Sequence, residues 1–562
     1  MGKQKSKNKN TLCSPARRQV LGMLSAGALT PLMNNPVRVL IAGLVDGIIM
    51  RSQAQAATNV NLPPRNYVFL GFAGGPLRVH FDNPLTPYTN QAVVANAGIV
   101  SRWTNSTAAA YTSTSFTRNG NTLNMPHLWN CSLPVSGGGT VPMASLLDNM
   151  LMIRGINNGS DGHALNYFKT TRPVNQSSSI DGAVSERSNM SIPAAALLGA
   201  NDGAFKAATG VSPSMMPNND NPLLSILKAF DKSSDGLTSN FLSRQQAMDV
   251  AMQSAMKNLS DYAKSRIPGS ENLYSMRSTA EKVLQAGIGN VQSAYQGLVQ
   301  KYRGLVQAVG NSAIPGISDV NVSVSGLPKD SLTIAPNEYV SSSLDMRTMI
   351  NGKCTVSNLA ENFAVAEYLL VNGFTNSINM GMSSAFGLNF LNNGSSGEWG
   401  LDEHYGGGMV SMMANSFYWR AVATCIYEFA NVLKSKNLWK DTVMHLGGDF
   451  GRNPNNRGSG SEHGWMCNSV SIISGAITKP YVVGNTYWNG SPYADRGLYT
   501  GTWGASAPTI VDGQAQELTL GHMASTVCSL LRVNSPTPNN NPLFGEQADG
   551  TIVPLVELAK NV

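Results

Sequence analysis

Apolar residues fall into two kinds of run along this chain of 562 residues. Short continuous runs rich in β-branched and aromatic residues, several ending in Gly or Asn, are the pattern of strands buried on both faces. Longer stretches with apolar positions every three or four residues are the pattern of helices with one packed face. The first kind predicts strands at 67–72, 150–154, 377–382, 442–446 and 469–473. The second predicts helices at 358–372 and 408–436. It also predicts a helical insertion over 221–311, where Leu224, Leu227, Phe230, Met248, Met252, Met256, Leu259, Leu284, Val291, Tyr295, Leu298 and Tyr302 keep helical spacing. Its methionines read as packing residues. Residues 83–145 are rich in Asn, Thr, Ser and Gly and read as loops. No internal repeat or low-complexity tract interrupts the pattern. Helices alternating with short apolar strands predict an α/β fold, a mostly parallel sheet covered on both faces. Such a sheet gathers functional loops at the carboxyl ends of its strands.

Composition changes this picture mainly at the N-terminus. Residues 1–56 carry eight Lys and Arg against one Asp, and so account for the whole net charge of +7. The remainder is formally neutral, which disfavours nucleic acid as a partner. The leader reads as an export signal: a Lys-rich start, Ser14-Pro15-Ala16-Arg17-Arg18-Gln19-Val20-Leu21 in the manner of a twin-arginine motif, and small residues Ala54-Gln55-Ala56 for a signal peptidase. Its two apolar stretches, 19–33 and 37–50, each fall short of the ~20 residues a spanning helix needs. Cleavage after Ala56 and an uncleaved membrane anchor are the two readings. Cleavage would leave residues 57–562 as the mature domain, periplasmic or exported, with no stable membrane span. Six scattered Cys without a CxxC pair suit neither a disulfide framework nor a zinc site, and most read as small buried hydrophobes.

Candidate chemistry is concentrated in two Gly-rich segments. Trp399-Gly400-Leu401-Asp402-Glu403-His404 places a carboxylate and an imidazole two residues apart, on the same side of an extended loop, where they could share one ion or could simply cap and solvate the loop. Gly447-Gly448-Asp449-Phe450-Gly451-Arg452 follows a strand and presents Asp449 at its end. Arg452 can pair with Asp449 to fix the loop or grip an anionic oxygen with its planar fork. Glu462-His463-Gly464 adds a further imidazole. With seven His in the chain, two in these loops single out Asp402, His404, Asp449 and His463 as a set expected to meet in one cleft.

The order of these segments resembles a poorly characterised family of bacterial twin-arginine-exported proteins, related to the alkaline phosphatase and sulfatase superfamily. Members of that family show Gly-Gly after a first strand, Gly-Trp-Asp-Thr-His late in the chain, then Ser-Glu-Phe-Gly-Arg-Thr and Gly-x-Asp-His. The matching segments here are Gly74-Gly75, Trp399 to His404, Gly448-Asp449-Phe450-Gly451-Arg452 and Glu462-His463, with Met523 to Leu531 continuing the agreement. The likeness covers most of 64–535. It implies an alkaline-phosphatase-like α/β/α sandwich and a metal-dependent hydrolase of anionic phosphate or sulfate esters. One divalent ion (Zn, Mn, Ca or Mg) would be held by Asp402, His404 and His463, and Asp449 would correspond to a ligand of a second ion. Ser160, in Asn158-Gly159-Ser160-Asp161-Gly162-His163, loosely matches a mutase loop and is one candidate nucleophile beside other hydroxyls or a water, and Arg452 is the candidate catalytic cation for an anionic substrate oxygen. The chain also departs from the pattern. Pro76 and Leu77 stand where an early Asp belongs, Phe450 replaces a His, and Asp402-x-His404 is shorter than the usual pair. An incomplete two-metal site leaves a second reading open: a non-catalytic cell-envelope protein that keeps the fold and binds an envelope protein partner.

Overall fold

The computed structural model describes residues 62–85, 113–208 apart from 161, 176 and 191, 213–215, 288–311, 358–382, 408–454, 467–487 and 505–559. It also describes the short segments 102–103, 109–110, 333–334, 344–345, 355–356, 385–387, 399–402 and 461–463. The leader and most of 221–311, apart from its last helix, lie outside the described residues.

The body is mixed α/β. Among the described residues, nine strands form its central sheet: β1 Asn66–Phe72, β2 Met150–Asn157, β3 Ala195–Ala196, β4 Ser214–Met215, β5 Ser377–Met382, β6 Thr442–Gly448, β7 Cys467–Ser474, β8 Tyr481–Val483 and β9 Leu518–Thr519. Their order is β4-β3-β5-β1-β6-β7-β2-β8, with β9 also beside β2. Every pairing is parallel except those of β7, which runs against both β6 and β2. The mostly parallel sheet expected from the runs of apolar residues is therefore present, with one reversed strand. The cause of the reversal lies in the connection. A two-stranded ribbon, Arg452–Pro454 against Ser461–His463, turns the chain straight back from β6 into β7, where a parallel neighbour would need a long crossover.

Alternation along the strands sends side chains to both faces. Val68, Leu70, Phe72, Met444 and Leu446 belong to one core, and Tyr67, Phe69, Leu151, Ile153 and Val443 to the other. The first is covered by α3 (Ile288–Asn311), α4 (Leu359–Val371) and α5 (Gly408–Ser435); the second by α2 (Ile180–Arg187) and α6 (Leu520–Leu531), with α1 (His163–Thr171) packed beside α6 and β6. α3, the end of the expected insertion, docks on α4 and α5 through Tyr295 and Tyr302, both buried, and through ion pairs of Lys301 with Glu367 and of Arg303 with Glu361. Cys131, Cys425, Cys467 and Cys528 are buried thiols outside any disulfide, as their scatter predicts; Cys354 lies outside the described residues. Among the described residues no helix is long and apolar enough to cross a membrane.

Candidate functional site

The carboxyl ends of β1, β6 and β2 meet at one edge of the sheet, and each continues into a loop that carries polar groups inward. β1 runs into Gly74-Gly75, β6 into Asp449, and β2 into Asn158, Ser160 and then α1. Gly74 and Gly75 both have positive φ, at 99° and 62°, which disfavours other residues there. Space matters as much as conformation. A Cβ on Gly74 would meet the backbone nitrogen of Asp402, and one on Gly75 would meet the Phe450 ring and Asp449 Oδ1. The glycine pair lets two distant segments close over the end of β1.

Asp449 is the centre of the arrangement. It is 1 % exposed, and its Oδ2 accepts from the Gly74 N–H at 3.0 Å and from His163 Nδ1 at 2.6 Å. A carboxylate only accepts, so Nδ1 carries the proton. Amides from the loop after β2 and from β7 pin the backbone around it. Asn158 Nδ2 donates to the Asp449 carbonyl at 2.8 Å, and Asn468 Nδ2 donates to the Gly448 carbonyl at 2.8 Å. The other carboxylate oxygen, Oδ1, is buried with no hydrogen-bond partner among the described residues.

His163 is the first residue of α1 and is one-third exposed. Its ring lies against Phe450, with centroids 4.6 Å apart, and its Nε2 faces Asp402 Oδ2 at 3.4 Å. The hydrogen bond to Asp449, opposed by partial burial, moves the imidazole above its ordinary pKa. α1 is held in place from below. Asn201 donates to the Tyr167 carbonyl of α1 and, at 3.4 Å, to Thr171 Oγ1; its own backbone N–H donates to Asn379 Oδ1 at 3.2 Å, while Asn379 Nδ2 reaches the buried Asp181 carboxylate at 3.2 Å.

Arg452 does not make the expected pair with Asp449. Its side chain is wholly buried and is bonded not to Asp449 but to Asp402. Nε and a terminal nitrogen also donate to the Gly74 carbonyl at 3.2 and 2.7 Å, and Nε donates to Gly75 as well. The guanidinium thus clasps the loop after β1 to the segment carrying Asp402. Asp402 itself is 47 % exposed on the open side.

Of the residues singled out in the sequence, the structure brings together Asp402, Asp449 and Arg452. His463 lies in the ribbon with its Cα paired to that of Arg452, so its backbone borders the clasp. His404 lies outside the described residues. Ser160 is in the loop between β2 and α1, where its hydroxyl donates to Asn166 Oδ1 at 2.8 Å and Asn166 Nδ2 returns a bond to the Ser160 carbonyl at 2.7 Å. Among the described residues no three His, Cys, Asp or Glu side chains are grouped so as to hold a metal ion. Sequence reasoning missed His163, although the signal was present. Asn158 to His163 is a Gly-rich polar segment directly after a strand, with the same grammar as the Asp449 segment. Comparison of the chain with models of known protein families and with curated proteins gives no match.

Proposed function

We propose that this edge of the sheet hydrolyses phosphate or sulfate esters with the help of one divalent cation. The observation that carries the reading is the meeting of Asp449 and Asp402 on a single imidazole, from segments far apart in the chain, at the carboxyl edge of a mostly parallel sheet. The donor chemistry fits such a cation. Carboxylate oxygens with imidazole nitrogen suit zinc or manganese, and oxygens alone suit magnesium or calcium. The unsatisfied Oδ1 of buried Asp449 is the kind of atom that a cation or a donor from substrate would satisfy. Asp402 and Asp449 would hold the ion together with His404 and His463, and the bound ion would polarise the ester and acidify a water.

The chain's own residues prepare that chemistry. Arg452 keeps Asp402 and the Gly74-Gly75 loop in register, Asn158 and Asn468 fix the backbone at Asp449, and Ser160 presents a hydroxyl from the loop before α1. The leader assigns the protein to the bacterial cell envelope, with an alkaline-phosphatase-like domain over 57–562. The experiment is a panel of aryl phosphates and aryl sulfates, run on purified protein with Zn²⁺ or Mn²⁺ and again with chelator. Turnover that vanishes with chelator and in Asp449→Asn supports the hydrolase.

One observation favours the second reading, a non-catalytic envelope protein that binds a protein partner. Arg452 is buried and committed to Asp402 and to two carbonyls, so the charges of the site are largely balanced within it. Folded, metal-loaded protein that turns over no ester in the panel would select this reading.

A further inference from the structure

Asp449 and Asp402 touch opposite nitrogens of His163, and this asymmetry separates their roles. Asp449 is buried, and its Oδ2 receives the Nδ1 proton at 2.6 Å. That bond fixes the tautomer and the ring plane, and it leaves Nε2 as the nitrogen turned to the open side. There Nε2 and Asp402 Oδ2 stand 3.4 Å apart, longer than the usual 2.7–3.2 Å of an N–H···O hydrogen bond. Two donors bound at ~2.0–2.2 Å to one tetrahedral cation sit roughly 3.3–3.5 Å from each other. The observed separation is that of two ligands on a shared ion. A histidine that binds metal through one nitrogen typically gives its other N–H to a carboxylate, which aims the ring and raises its basicity.

We propose that His163 Nε2 and Asp402 are ligands of a divalent cation of the zinc class, and that Asp449 is the carboxylate that orients His163. The inference rests on the cation-dependent reading above but reassigns its residues. His163 enters the ligand set, and Asp449 moves behind it. The arrangement also gives Phe450 a use, since its ring supports the imidazole at 4.6 Å between centroids. Arg452 holds Asp402 from the side away from the imidazole: it bonds Oδ1, while Oδ2 faces Nε2.

The test is calorimetric titration of the purified, chelator-stripped protein with Zn²⁺, together with the visible spectrum of the Co²⁺ form. The wild type is expected to bind one ion per chain. His163→Ala and Asp402→Asn should each weaken binding by at least a hundredfold and alter the Co²⁺ spectrum. Asp449→Asn should weaken it by about tenfold to a hundredfold, the range for loss of an orienting partner. Asp402 is half-exposed, so its variant keeps the test valid if His163→Ala fails to fold. Wild-type affinity in folded His163→Ala or Asp402→Asn would overturn the inference, as would a wild type that binds neither ion. Zinc binding lost in these variants, in a protein that hydrolyses no ester, would support the inference and remove the hydrolase reading alone.

Discussion

The hydroxyl of Tyr167 fills the space that a Cβ on Gly71 would need. Gly71 stands between Gly381 on β5 and Gly447 on β6 in register, so the sheet is stripped of side chains where α1 crosses it. Tyr167 lies one helical turn after His163, on the same face of α1. The depth at which its ring seats therefore sets the reach of the imidazole toward Asp449. Gly71→Ala is predicted to destabilise the protein by about 1–3 kcal/mol through overpacking and to weaken zinc binding. Adding Tyr167→Phe removes the nearest clash, the hydroxyl, and should restore part of both, since Phe69 Cε1 and Tyr167 Cζ still stand 2.7 and 2.9 Å from the new Cβ. Urea unfolding of the single and double variants measures the coupling, and strictly additive effects would show that the two residues do not act through this contact.

Arg452 is predicted to contribute by holding loops together. Replacing it with Ala leaves two carbonyls and Asp402 without their donor. The expected loss is on the order of 2–3 kcal/mol, below the 3–5 of a fully buried pair because Asp402 is half-exposed. Arg452→Lys keeps the charge but not the fork that spans Gly74, Gly75 and Asp402, so it should recover only part of the loss. Full recovery by Lys in thermal or urea unfolding would mean that charge alone matters.

Acid stability has a separate cause on the same face of the sheet, where His445 packs against Phe69 and Tyr67. His445 is buried, its Nδ1 is 3.0 Å from the Tyr67 hydroxyl, and burial with nearby Arg78 lowers its pKa from 6.5 to about 3. The native imidazole stays neutral in this interval while the unfolded chain takes up a proton. The unfolded state thus binds more protons, and stability falls as pH falls from 6.5 toward 3. This one group is predicted to cost about 1.4 kcal/mol for each pH unit within that window. Unfolding free energies measured across the window should show a shallower decline in His445→Gln. An unchanged slope would place the acid sensitivity elsewhere.

Export is predicted to depend on Arg17 and Arg18. Replacing both with Lys should leave unprocessed protein in the cytoplasm, and terminal sequencing of the wild-type mature protein should begin at Ala57. A mature chain that starts at Met1 would contradict the cleaved leader.

Much of the sheet was legible in the sequence because its strands are buried on both faces and read as unbroken apolar runs. β5 matches the expected 377–382, and α5 and α4 end within a residue of expectation. The reversal of β7 was not legible, since an apolar run carries no sign of its direction. In the site, Asp449 was found because a strand end after Gly-Gly is a local signal. Arg452 was found but misassigned, because the choice between Asp449 and Asp402 as its partner depends on how Gly74 and Gly75 admit a distant loop. His163 was passed over because its worth comes from Asp449, 286 positions away, and from a helix seated over Gly71. The Gly-rich polar segment after β2 was a visible signal, but it does not say which residue in it meets Asp449.

In the proposed cation site, His163 and Asp402 hold the ion at the carboxyl edge of the sheet, with Asp449 aiming the imidazole. The most direct measurement is anomalous diffraction at the zinc edge from crystals of the purified protein equilibrated with Zn²⁺. The account predicts one strong peak within bonding distance of both His163 Nε2 and Asp402, with Nδ1 still on Asp449. No peak at this edge under saturating zinc, or a peak there with the His163 ring turned away from it, would contradict it.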